Sequence, residues 1–113
     1  MNRLLFSLVI ISLVIIAALF AASEKQKFTG IITDSMCADA DHSRMRMGPT
    51  DAECAAACND LHGAPWVLYD GKQSYTLSDQ KMPEKLAGKK VAVAGDLDVK
   101  TMTIRVDSIV PVP

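Results

Sequence analysis

The chain has 113 residues, with 12 basic side chains against 13 acidic ones and a formal net charge of −1 at neutral pH. That length points to one domain, and the near-balance of charge excludes nucleic acid as an expected partner, because phosphate binding rests on a basic surface. Hydrophobic residues make up 50% of the chain, but they are concentrated at the N-terminus, so the remaining ~90 residues can bury one small core and no more.

Arg3 is followed by an apolar run from Leu4 to Phe20, interrupted only by Ser7 and Ser12, and then by the small residues Ala21-Ala22-Ser23. Charged, greasy and small, in that order, is the pattern of a secretory signal, with cleavage after Ser23 and a mature start at Glu24. The alternative is an uncleaved anchor, since the run of 17 residues falls just short of the ~20 that a spanning helix wants. The expected organisation is therefore a signal peptide or N-terminal membrane anchor over 1–23 and a single exported domain over 24–113, periplasmic or extracellular. Any membrane contact would run through residues 4–22. Cleavage would leave 11 basic against 13 acidic residues, a net charge of −2.

Phe28 to Asp34 (FTGIITD) is rich in β-branched residues and reads as a first strand, with Gly30 at a bend or bulge. Ser35 to Pro49 (SMCADADHSRMRMGP) shows no apolar period and reads as a loop. Thr50-Asp51-Ala52-Glu53 has the form of a capping box, so a helix of about three turns is expected to start there. It should run through AECAAACNDLH and stop at Gly63, with Pro65 barring continuation. Four strands follow, at Trp66–Asp70, Ser74–Ser78, Lys90–Leu97 and Thr101–Val110, the last alternating Met102, Ile104 and Val106 against Thr103, Arg105 and Asp107. Asp70-Gly71 and Asp98 mark hairpin turns, and Met82 to Gly88 reads as a short helical turn opened by Pro83. Five short strands with a helix between the third and fourth is the order of an OB-type barrel. The expected fold is a mainly β, five-stranded OB-like small barrel with a helical, Cys/His-bearing insert (35–64) between strands one and two.

The chemistry-bearing residues crowd that insert. All three cysteines, Cys37, Cys54 and Cys58, lie in the exported part, where an oxidising compartment makes a disulfide the default expectation. Cys37 paired with Cys54 or Cys58 would close a loop of roughly 20 residues and stabilise the fold by ~3 kcal/mol. A Cys54–Cys58 bridge along one helical turn fits disulfide geometry poorly. The competing reading is a metal site. Cys54, Cys58 and His62 recur at intervals of four on the helix, and Cys37 and His42 come from the loop before it, so thiolates and an imidazole could surround zinc or cuprous copper. Met45 and Met47, with Met36, would be thioether donors for copper. The spacing lacks the C-x2-C knuckles of recognisable zinc sites. A third reading is thiol chemistry by an unpaired cysteine, for which only Cys54 lies close enough to a helix N-terminus to be activated. Asp34, Asp39 and Asp41 lack the Gly and closing Glu of a calcium loop, and no catalytic triad, paired-carboxylate or nucleotide-binding motif is present.

Thr29-Gly30-Ile31-Ile32-Thr33-Asp34-Ser35-Met36-Cys37, then Cys54-x3-Cys58, then Val91-Ala92-Val93-Ala94-Gly95, and finally Ile104-Arg105-Val106-Asp107-Ser108-Ile109 resemble a group of small exported bacterial domains. The resemblance spans nearly the whole mature chain and departs from the group at Ala38, where Gly follows the opening cysteine. It implies an OB-type barrel and export, and it singles out Cys37, Cys54 and Cys58, but the group has no settled activity to carry over. The expectation from sequence is thus an exported, non-catalytic binding or structural module stapled by a disulfide. Its partner would be an envelope protein or a small ligand. The alternative is an envelope protein that binds zinc or copper through the Cys/His cluster.

Overall fold

The computed structural model describes residues 2–11 and 25–113. Residues 2–11 are helical (α1), and the remainder of the apolar run with its small-residue patch at 21–23 lies outside the described residues. Among the described residues no helix is long and apolar enough to cross a membrane.

The domain is mainly β. Its strands are β1 (Gln26–Asp34), β2 (Trp66–Tyr69), β3 (Ser74–Leu77), β4 (Lys90–Asp98) and β5 (Thr103–Pro111). Between β1 and β2 stand a 3-10 turn (Ser35–Cys37), a loop and helix α2 (Asp51–His62), and between β3 and β4 a short helix α3 (Met82–Lys85). β1 pairs with β2 and β4, β2 with β3, and β4 with β5, all antiparallel, while β3 and β5 pair in parallel. Every strand has two neighbours, so the five-stranded sheet closes in the order β1-β2-β3-β5-β4. Closure removes the unpaired edges that a small β domain would otherwise present to other chains.

The inward residues follow the period-2 pleat. In β4 Val91, Val93 and Gly95 are buried and their alternates are more exposed, and the core gathers Ile32, Trp66, Leu68, Leu77, Val91, Val93 and Ile104 with Ala55 of α2. The alternation expected along the last strand holds only in part. Ala94 pairs with Ser108 but Gly95 pairs with Val106, a bulge that leaves Asp107 without a partner and turns Ile109 inward. Met102 belongs to the preceding turn, at φ 52°, so the strand begins at Thr103 rather than Thr101. Gly30 lies where β1 passes tightly against β2, and a Cβ added there would overlap the Tyr69 carbonyl.

The capping box forms as read. Thr50 Oγ1 accepts the Glu53 N–H and Glu53 Oε2 accepts the Thr50 N–H, both at 3.2 Å. Gly63 closes α2 in the left-handed conformation at φ 65°. The helix packs on β1 and buries Cys54, Ala55 and Cys58.

Candidate metal centre

β1 ends at Asp34, whose carboxylate caps the 3-10 turn that follows. Its Oδ2 accepts the backbone N–H groups of Met36 at 2.9 Å and Cys37 at 3.1 Å. That local turn places the Cys37 side chain beside the carboxylate that caps it. The loop then runs through Ala40 at φ 60° and brings His42 back over the end of β1. His42 Nε2 stands 3.4 Å from Asp34 Oδ1 and 3.4 Å from Thr33 Oγ1. One ligand atom from each of Asp34, Cys37 and His42 lies within 4.8 Å of the others, and the three residues are 0%, 6% and 4% exposed. Cys58 of α2 is fully buried and close enough to Asp34 to feel its charge.

The electrostatics follow from burial. Desolvation first, then the negative charge of Asp34, pushes the Cys58 thiol up to about 11. The same two causes, in the same order, raise the Cys37 thiol above its usual value. A fully buried carboxyl group beside an imidazole and two buried thiols has little solvent around it, and such a group is costly to bury without partners. A divalent cation among these donors would supply charge opposite to that of the carboxylate.

His42 shows a further unbalanced group. Its Nδ1 is buried without a hydrogen-bond partner, and the nearest carboxylate oxygen, Asp51 Oδ1 in the first turn of α2, is 3.6 Å away. Arg46 Nη1 holds that same oxygen at 3.0 Å. Metal-binding histidines characteristically donate their second ring N–H to a carboxylate, and Asp51 stands where that partner belongs.

The remaining sequence candidates are placed elsewhere. The expected disulfide is absent: Cys37, Cys54 and Cys58 are all buried free thiols. Each sulfur has another occupation. Cys54 Sγ accepts the Met47 N–H at 3.1 Å and donates to the Met45 carbonyl at 3.3 Å, so hydrogen bonds rather than a covalent staple hold the loop to the helix. Cys37 joins Asp34 and His42, and Cys58 is buried near Asp34. His62 is exposed at the end of α2, away from the cluster. Successive steps of four residues rotate about 40° around a helix, which carries the third member of the stripe off the face that Cys54 and Cys58 bury. Met36 and Met45 are 42% and 41% exposed, and Met47 is half-buried.

From sequence Asp34 reads as the end of a strand and is weighed as a ligand only in a calcium cluster with Asp39 and Asp41, whereas the structure groups it with Cys37 and His42. The available signal was its place three residues before Cys37, where an Asp at a turn N-cap brings its carboxylate back beside the third residue. Compared with known proteins, the chain matches no family model, no curated protein and no solved structure.

Proposed function

We propose that the protein is an exported, non-catalytic binding module of OB type whose insert holds a zinc-class cation, with Asp34, Cys37 and His42 as ligands and Cys58 as the fourth. The observation that carries this reading is the convergence of three buried ligand atoms, from Asp34, Cys37 and His42, within 4.8 Å of one another. Tetrahedral zinc sets its ligand atoms about 3.3–3.8 Å apart, so binding requires a contraction of roughly 1 Å, within the reach of side-chain rotation. Mixed N, O and S donors favour zinc over hard cations such as calcium or magnesium. A ligand set closed by protein on every side resembles structural rather than catalytic zinc, which keeps an open position for water.

Thiol catalysis is the weaker reading, because a nucleophilic thiol must be accessible, and Cys54, the cysteine nearest a helix N-terminus, is fully buried with its sulfur bonded to the backbone of Met45 and Met47. The absence of a disulfide is consistent with the metal reading, since thiols committed to a cation must remain unpaired.

The test is zinc titration of the full chain against a chromophoric chelator, with native mass spectrometry for stoichiometry. One equivalent is expected. Asp34→Asn, Cys37→Ser and Cys58→Ser each weaken binding tenfold or more, while Cys54→Ser keeps the stoichiometry because Cys54 holds the loop and not the ion. Wild-type protein that takes up no zinc, or a Cys37→Ser variant as tight as wild type, overturns the reading.

A further inference from the structure

The insert has a second concavity, on the outer side of Cys37. It has a volume of about 560 Å³, and Met36, Cys37 and Met45 all stand in its wall. We propose that this cavity is a distinct site for a soft monovalent d10 cation, Cu(I), bound by the thioethers of Met36 and Met45 and the thiolate of Cys37. The proposal shares Cys37 with the buried zinc-class site, so the two ions compete for that thiolate, and Cu(I) is offered to protein free of zinc.

Three observations point the same way. Met36 and Met45 are 42% and 41% exposed, so two apolar, polarisable side chains are left in water at one mouth instead of filling the core. Their backbones are pinned around the cavity. The Met36 N–H is held by Asp34 Oδ2 at 2.9 Å, the Met45 carbonyl accepts from Cys54 Sγ at 3.3 Å, and the Ser74 hydroxyl of β3 ties down the Ala38 carbonyl on the opposite wall. The charges of the wall also cancel. Asp39 lies 3.8 Å from Arg44 Nη2, and Lys72 balances Asp41 in the same lining. A hard cation therefore finds no net attraction, and what distinguishes the cavity chemically is sulfur, which selects Cu(I).

The cavity is far larger than an ion, so the sulfurs close on it by rotation, which the three free torsions of each Met side chain permit. Binding is ligand exchange without redox change. Cu(I) leaves its carrier, the Cys37 S–H bond breaks, a Cu–S bond forms and the proton goes to bulk water. Met47, an equal candidate by sequence, is not in the wall and takes no part.

The experiment uses the full chain under reducing conditions, with Cu(I) supplied as its bicinchoninate complex and, in parallel, Ag(I) followed by NMR of 13C-labelled methionine methyls. Wild type is expected to withdraw one Cu(I), and Ag(I) is expected to shift the Met36 and Met45 methyl signals but not that of Met47. The double variant Met36→Leu/Met45→Leu, which keeps side-chain volume, should bind Cu(I) at least tenfold more weakly with zinc affinity unchanged. Wild type that leaves Cu(I) on the chelator, a double variant with wild-type Cu(I) affinity, or stationary Met36 and Met45 methyls overturns the proposal. Failure of the zinc reading is separate: it shows as no zinc uptake by wild type and leaves the Cu(I) comparison intact.

Discussion

At Asp34 one carboxylate accepts two backbone N–H groups, faces an imidazole and lies near the buried Cys58 thiol, with no exposed surface of its own. The arrangement has a consequence for alkaline stability. Unfolded Cys58 ionises near 9.0, whereas in the fold its thiol is held up to about 11. Between those values the unfolded chain has released a proton that the folded chain keeps. Stability therefore falls as pH rises through that window, by up to about 1.4 kcal/mol per pH unit for one thiol. Urea unfolding midpoints measured from pH 8 to 11 should decline, and Cys58→Ala should flatten the decline. An unchanged slope in that variant would mean that Cys58 is not the group responsible.

At the scale of the element, α2 depends on its first turn more than on its apolar content. The helix is short, its buried face consists of Cys54, Ala55 and Cys58, and alanine propensity alone does not hold about three turns in water. The capping box is what starts it. Thr50→Ala should cost about 1 kcal/mol and lower the melting temperature by roughly 4–8 °C for a domain of this size. Because Asp51, adjacent to the cap, stands beside His42, the same variant should also weaken zinc binding by a few-fold, read by the chelator titration. A melt and a titration that both match wild type would show that helix entry is set by packing on β1 alone.

The whole molecule couples the closed sheet to the insert. β1 supplies Ile32 to the core and the site carboxylate at its end, so whatever holds Asp34 also holds the strand. A cation bound to the folded chain and not to the unfolded one adds about 2.7 kcal/mol at a free concentration one hundred times its dissociation constant. Zinc should therefore raise the thermal midpoint of wild type, a tight chelator should reverse the rise, and Asp34→Asn should show neither effect. A zinc-dependent rise that persists in Asp34→Asn would place the ion elsewhere.

Much of this protein is determined by local sequence. The capping box at Thr50 and Glu53, the glycine stop at Gly63, the turn at Asp70-Gly71 and the five strands each follow from interactions among residues close in the chain. Other features depend on groups that meet only after the sheet has closed. The bulge at Asp107 reverses which residues of β5 face inward, because register is set by the partner strand. The three thiols are unpaired, with Cys54 bonded to the backbone of Met45 and Met47 while Cys37 joins Asp34 and His42. Asp34, a strand terminator by sequence, becomes the centre of the candidate site only when the loop carries His42 back across it and α2 packs Cys58 against it. Residue type and spacing thus determined the elements and the stock of ligands, whereas tertiary structure decided which ligands converge, since that depends on distances no local pattern encodes.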